Sequence, residues 1–241
     1  KAGIIKRAVP CIVGPQAEVA MEVIEDRTAR IGAPILAHGQ HWHVTEERGR
    51  LIFQDETGLL DLPLPNLIGA HQVQNAGTAL AALRALGKDD AACEAAVTRA
   101  EWPARMQRLR HGPLVDAAPQ AEFWLDGGHN PHAGRALARA MSGMADRPTY
   151  LVCGMLNTKD PVGFLSPFAD IATRLYAIDI PGQTATLTAA DTAEAATRAG
   201  LNADLAEGAM DAVTRITGKA PAARILICGS LYLAGDILKE N

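Results

Sequence analysis

From residue 104 onward the sequence keeps one rhythm, and that rhythm narrows the possible folds. A short apolar run of β type ends abruptly, a polar loop containing glycine follows, and a helical pattern begins. The strand candidates are Glu122–Leu125, Thr149–Cys153, Leu175–Ile178 and Ile225–Cys228. Helical stretches fall near Pro131–Met144, Pro161–Ile171, Thr192–Ala199 and Gly208–Thr217. Strands alternating with helices predict a mostly parallel sheet, because a parallel pair needs a long crossover and crossover helices cover both sheet faces. With 48% hydrophobic and 21% charged residues in 241, the chain has the apolar content to build such a core.

Residues 1–103 read differently. Val9–Val13 is a β-type run ended by Gly14-Pro15, and Ala17–Arg30 has helical character up to Gly32. Segments around Trp42–Val44, Leu51–Phe53 and Leu59–Leu62, split by "ERGR" and "DETG", predict small antiparallel strands. Gln72–Leu86 predicts an amphipathic helix whose Ala76, Ala79, Leu80, Leu83 and Leu86 face one way, stopped by Gly87. Asp89 or Asp90 caps a second helix running to about Arg99. A domain boundary therefore falls near Trp102–Arg105, giving domains 1–103 and 104–241.

The polar clusters line up along the second domain. "DGGHN", "GMLNTKD", "DIPG" and "GSLYLAG" each follow the carboxyl end of a predicted strand. In open parallel sheets ligands bind outside those ends. In "LDGGHNPHAGRALARAM" the two glycines allow close approach to the backbone, Asn130 is a plausible N-cap and Pro131 suits a first helical turn. The helix buries Ala133, Leu137, Ala140 and Met144. Asp126 and His129 are expected at the lip of the site, where neither is needed for the core and where alanine leaves the melting temperature near that of the parent.

The formal net charge of −4 gives no basic field for nucleic acid. No apolar run is long enough to span a bilayer. The four cysteines are scattered without a C-x-x-C pair and read as buried reduced thiols of a cytoplasmic protein.

Six stretches in order, "KAGIIK", "NLIGAHQVQNAGTALAAL", "WPARMQRL", "LDGGHNPHA", "CGMLNTKD" and "CGSLYLAG", resemble the folylpolyglutamate synthases and the bifunctional dihydrofolate synthase/folylpolyglutamate synthases of the Mur-ligase superfamily. "WPARMQRL" carries Ala104 where Gly is usual before the arginine. The resemblance implies the tail of a P-loop ATPase domain followed by a Rossmann-like, mostly parallel α/β C-terminal domain of the Mur-ligase type. It implies an ADP-forming ligase that uses ATP and Mg2+ to join L-glutamate to folate or dihydropteroate, in a cytoplasmic protein that is a monomer at full length. Carried over residue by residue, Asn75 contacts the adenine side of ATP, with His71 one helical turn before it. Arg105 grips phosphates, Asp126 binds the nucleotide at its ribose, and His129 lies near the phosphates. Ser230 belongs to the amino-acid substrate region, and Lys159 and Asp160 to a further substrate loop. Lys1 is the lysine that becomes carbamylated and supports the magnesium site.

A P-loop needs G-x-x-x-x-G-K-[ST], and no such run occurs: Gly87-Lys88 is followed by Asp89 and Gly218-Lys219 by Ala220. The chain opens without Met, as though cut from something longer. The expectation is a piece of the enzyme, inactive by itself. Three alternatives stand beside this reading. One is a Mur ligase acting on cell-wall precursors, and another is a nucleotide-binding module without chemistry. The third is a metal site at "HGQHWH" through His38, His41 and His43, although no Cys or acidic partner follows at zinc-like spacing.

Overall fold

The computed structural model describes residues 2–240. They divide into two compact units between Glu101 and Trp102, close to the boundary expected after residue 103.

The first unit contains β1 (Cys11–Val13), α1 (Glu18–Ile31), β2 (Ile35–Ala37), β3 (Trp42–Glu47), β4 (Arg50–Asp55), β5 (Gly58–Pro63), α2 (Ala70–Ala85) and α3 (Asp90–Thr98). β1 and β2 pair in parallel across α1, and Gly32 ends that helix in the left-handed region at φ 68°. β3, β4 and β5 form the expected antiparallel meander. Its alternate residues Trp42, Val44, Leu51, Phe53, Leu60 and Leu62 are buried under α2.

The buried face of α2 is rotated from the predicted one, keeping Leu80 at its centre and Ala76 and Leu83 at its edge. Val73, Gly77, Leu80 and Ala81 face the sheet, while Ala79 and Leu86 are exposed. The cause is Gly77: a Cβ there would strike the Val44 side chain, so the helix axis comes closest to the sheet at this residue and the contact line runs through it. Asp89 caps α3 as expected, accepting from the Ala92 N–H at 2.8 Å.

The second unit contains β6 (Gln107–Leu109), α4 (Pro113–Ala117), β7 (Glu122–Leu125), α5 (Pro131–Ser142), β8 (Thr149–Cys153), α6 (Pro161–Leu165), β9 (Ala172–Ala177), α7 (Ala189–Arg198), β10 (Ala203–Leu205), α8 (Ala209–Thr217), β11 (Arg224–Cys228) and α9 (Leu231–Lys239). The sheet runs β10-β9-β8-β11-β7-β6, parallel except for β6, which is antiparallel on β7. Successive side chains sort to opposite faces. Phe123, Leu125, Ile225 and Ile227 join Val213 and Ile216 of α8 and Leu233 and Ile237 of α9. Trp124, Leu151, Leu175 and Leu226 join Leu137 of α5, Phe164 of α6 and Ala196 of α7. The two faces hold separate cores, as a doubly wound sheet requires. Among the described residues the four cysteines are free, and no helix is long and apolar enough to cross a membrane.

At the amino ends of the strands one carboxylate faces several cations. Glu122 meets Arg224 Nε at 2.9 Å, Arg108 Nη1 at 2.8 Å and Arg147 Nε at 3.9 Å. Arg224 is buried, and its other nitrogen donates to the Ala145 carbonyl at 2.9 Å. Burial pushes the Glu122 carboxyl up, but the hydrogen bonds and charges of Arg108 and Arg224 outweigh it and hold the group below its ordinary value of 4.5. A depressed carboxyl stabilises the fold above its unfolded value and loses that contribution as pH falls through the folded one. Glu122→Gln should therefore cost about 3 kcal/mol near neutral pH, since it strands a buried guanidinium. In denaturant titrations the gap between variant and parent should narrow below about pH 4.5.

Candidate functional site

The loops after β7 and β11 lead to helices on opposite faces of the sheet, α5 and α9. Adjacent strands that part in this way open a crevice at their carboxyl ends. Three loops meet there through their backbones. The Gly229 N–H donates to the Gly128 carbonyl at 3.0 Å, and the Gly154 N–H donates to the Cys228 carbonyl at 3.3 Å. Gly229 sits at φ 103°, and a Cβ on it would stand 2.6 Å from the Gly154 carbonyl oxygen. A Cβ on Gly127 would collide with Leu231. The glycines read from the sequence as permitting close approach serve first to let these loops touch one another.

The start of α5 forms as predicted. Asn130 accepts from the Ala133 N–H at 3.0 Å and Pro131 occupies the first turn. Its buried residues are Gly134, Leu137, Ala138 and Met141, with Ala133, Ala140 and Met144 only partly covered. Gly134 sets this, because its bare Cα lies against the Phe164 backbone.

Asp126 corrects an expectation. It is buried rather than at the lip, and each carboxylate oxygen accepts a buried backbone N–H: Oδ2 from Met106 at 2.8 Å, Oδ1 from Gly128 at 2.7 Å. His129 does stand half-buried at the edge of the loop. Its Nδ1 lies 2.9 Å from the Gly127 carbonyl. A carbonyl only accepts, so the proton is on Nδ1 and Nε2 is the nitrogen left to meet a ligand.

Arg105 lies beside this loop. Its neighbours Ala104 and Met106 are buried and left-handed, at φ 55° and 43°. Such backbone costs a residue with a side chain about 1–2 kcal/mol and persists only where its surroundings enforce it. They do so here. The Gly127 N–H donates to the Ala104 carbonyl at 2.9 Å, Gln107 Oε1 accepts from the Ala104 N–H at 2.9 Å, and Asp126 holds Met106. The guanidinium is half-buried beside Gly127 and donates to the Ala104 carbonyl at 3.2 Å. Among the described residues it pairs with no carboxylate, so a positive charge is held at the crevice and is open to an anion.

The other expected residues fall out as follows. Ser230 is buried at the N-cap of α9 and accepts from the Tyr232 N–H at 3.1 Å. Asp160 caps α6, accepting from the Gly163 N–H at 2.9 Å, and Lys159 beside it is half-buried. In the first unit, the buried Gln72 links the expected pair. Its amide nitrogen donates to His71 Nε2 at 3.0 Å, and its oxygen accepts from Asn75 Nδ2 at 3.0 Å. That leaves the Asn75 oxygen as an acceptor at a cavity of about 130 Å³ whose lining includes Pro65, Leu67, Ala79, Val97 and Ala100. Lys1 lies outside the described residues. Among the described residues no group of three or more His, Cys, Asp or Glu side chains is placed to hold a metal. That speaks against the "HGQHWH" alternative. His41 Nδ1 instead accepts from the Ala37 N–H at 3.2 Å, and the His38 ring packs edge-on against Trp42.

Sequence reading missed Gln72 and the strained run at Ala104–Met106. Gln72 carried no visible signal, since a glutamine inside an alanine-rich helix reads as surface. The run carried one: Ala104 stands before the arginine where the resemblance leads to an expectation of glycine.

Residues 104–231 match the family of the Mur ligase, glutamate ligase domain. Over 98% of its length the chain is 25% identical to the folylpolyglutamate synthase of Lacticaseibacillus casei, of which it covers 55%. Escherichia coli FolC in complex with DHPP and ADP superposes on 99% of the chain with TM-score 0.83 and 27% identity, and 54% of that protein is covered. A bifunctional folylpolyglutamate synthase/dihydrofolate synthase with Mn, AMPPNP and L-glutamate bound gives TM-score 0.82 and 25% identity over 99% of this chain and 54% of its own. The chain spans about half the length of the curated relatives it matches.

Asp126→Ala strips two buried N–H groups of their acceptor and should cost about 1–3 kcal/mol. His129→Ala removes only a half-exposed ring and should stay within about 0.5 kcal/mol of the parent. Thermal melts of both variants check this. Equal melting temperatures would mean that the carboxylate does not hold the loop.

Proposed function

Because the chain belongs to the Mur ligases through their glutamate ligase domain, we propose that it forms part of an ATP-dependent amide ligase that joins L-glutamate to the carboxylate of a folate or dihydropteroate. The observation that carries this reading is the half-buried Arg105 guanidinium, held beside Gly127 at the carboxyl end of β7 and in no salt bridge with a carboxylate among the described residues. The reaction needs that charge. A carboxylate oxygen bonds to the terminal phosphorus of ATP and ADP leaves, giving an acyl phosphate. The glutamate nitrogen then bonds to the acyl carbon, loses a proton, and phosphate departs. Both steps bring anionic oxygens together, so fixed cations and donors lower the barrier.

The residues fit a nucleotide. Arg105 offers a permanently charged fork to phosphate oxygens, and His129 presents Nε2 from the same loop system. Taken by itself, the first unit offers the Asn75 side chain at a small, mostly apolar cavity beside α2 and α3. Ser230 and the half-buried Lys159, at the ends of neighbouring strands, supply a hydroxyl and a cation for the glutamate carboxylates. A bound magnesium ion would supply further neutralisation of the phosphate charge. No set among the described residues holds it, so its place is not assigned to them. A cell-wall ligase would share the family, but the relatives matched are folate enzymes.

The test is ADP release and glutamate incorporation by the protein expressed from its whole natural reading frame, with ATP, magnesium, L-glutamate and tetrahydrofolate. Arg105→Ala should lower kcat/KM for ATP by roughly 10- to 150-fold, the equivalent of a charge-assisted contact of about 1.5–3 kcal/mol. Activity on a cell-wall precursor in place of folate, or unchanged kinetics in the variant, would overturn the assignment.

A further inference from the structure

The last turn of α2 borders a second cavity of the first unit, of about 360 Å³, a volume within the range of small-molecule sites. Three pieces of chain meet around it: the end of α2, the link from β2 to β3, and the turn between β4 and β5. Leu36, Trp42, Ala81 and Ala85 give it apolar walls. Trp42 and Asp55 are paired across β3 and β4, which brings the β4–β5 turn to the same end of the meander as His41. Charges of both signs complete the lining. Asp55 Oδ1 accepts from the N–H and the hydroxyl of Thr57 at 2.9 and 2.6 Å, leaving Oδ2 without a hydrogen-bond partner among the described residues. Glu56 beside it is exposed and forms no ion pair among the described residues. Arg84 reaches in from α2 with its side chain only 16% exposed. Its Nη1 donates to Thr57 Oγ1 at 2.7 Å, its Nη2 lies 3.6 Å from the exposed Asp90, and its shielded Nε has no acceptor among the described residues. His41 Nδ1 accepts from the Ala37 N–H at 3.2 Å, so the ring proton is on Nε2, a second donor at the cavity.

We propose that this cavity binds a free α-amino acid with an apolar side chain, its ammonium held by Asp55 and Glu56 and its carboxylate by Arg84 and His41. The lining selects for a zwitterion. A simple anion entering here meets two carboxylates, and a simple cation meets the Arg84 guanidinium. A ligand with both charges on one carbon satisfies both signs, and each contact is a charge-assisted hydrogen bond. Its carboxylate also brings acceptors to a guanidinium that lacks one, a shortage that buried donors rarely tolerate. The walls select the side chain. Leu36, Ala81 and Ala85 offer it no polar atom, so burying a branched hydrocarbon there is favourable while burying a polar group is costly. An acidic side chain adds a third carboxylate beside Asp55 and Glu56, which sets this ligand apart from L-glutamate. None of these residues belongs to the Arg105 crevice or to the Asn75 cavity, so the inference stands apart from the ligase reading.

L-Leucine is the probe, titrated into protein from the whole natural reading frame with alanine and leucine methyl groups labelled for NMR. It should give saturable shifts at Leu36, Ala81 and Ala85, and saturating ATP, magnesium and L-glutamate should leave them in place. Isocaproate, which lacks the ammonium, and isoamylamine, which lacks the carboxylate, should each bind about tenfold more weakly or worse. D55N keeps an acceptor for Thr57 but removes one charge, and R84M removes the other. Each should weaken L-leucine by about tenfold or more. Should R84M not fold, E56K at its exposed turn position carries the same comparison by placing a cation against the ligand ammonium. The proposal is overturned if L-leucine gives no saturable shift at millimolar concentration, or if its shifts lie away from these walls. Isoamylamine binding as tightly as L-leucine would make this a site for ammonium alone, and isocaproate doing so a site for anions alone. Either result sinks the zwitterion, and displacement by L-glutamate sinks the apolar specificity.

Discussion

The close approach of three backbones at Gly128, Gly154 and Gly229 is the constraint from which the site follows. Parallel strands stand side by side only if their loops clear one another, and here the loops after β7, β8 and β11 touch before they separate. Gly229 gives its N–H to Gly128 while its bare Cα faces the Gly154 carbonyl. Any side chain at that point pushes β11 away from β8, and with it the two apolar layers to which β11 contributes Ile227 on one face and Leu226 on the other. Because the loops converge, the start of α5 and the start of α9 open from one point. The crevice is a by-product of how the sheet closes at its carboxyl edge.

Two carboxylates divide the work at the two ends of β7. Glu122 sits at the amino end among Arg108, Arg147 and Arg224, where its task is to neutralise a buried cation. Asp126 follows the carboxyl end and meets backbone N–H groups. One four-residue strand therefore runs from a place that consumes positive charge to a place that leaves it exposed. The neutralised end belongs to stability. At the other end Asp126 is engaged by backbone N–H groups, and Arg105 forms no salt bridge among the described residues.

Much of this was legible in the sequence. The alternation of strands and helices, the meander of the first unit, the Asn130 and Asp89 caps and the placing of polar loops after strands all followed from local patterns. Short elements escaped: three-residue strands such as Ile35–Ala37, Gln107–Leu109 and Ala203–Leu205 carry too few residues for a period to show. "GSLYLAG" read as a loop but is the capped start of Leu231–Lys239, because glycine and serine at a helix entry look the same as a turn. The misjudged burial of Asp126 has a deeper cause. Its partners, Met106 and Gly128, lie 20 residues back and two residues ahead, and one-dimensional pattern reading sees only the second. Polarity in a strand-to-helix loop signals ligand binding and turn formation alike, and only the long-range N–H told them apart.

Ala104 shows how such a site tolerates sequence change. A glycine at this position would meet the left-handed φ without strain, whereas alanine bears about 1–2 kcal/mol for it. Its methyl, however, is buried in the same apolar layer as Leu109 and Phe123, and burying one such group stabilises by about 0.8 kcal/mol. The buried methyl offsets only part of that strain, and at a positive φ alanine remains less favourable than glycine on balance. What distinguishes them is stiffness. A glycine at 104 leaves several conformations open to the run before Arg105, while alanine, once forced into φ 55° by Gly127 and Gln107, has few alternatives. The substitution trades an easily formed loop for one that depends on its neighbours, and so makes the segment that carries Asp126 more important to where Arg105 points.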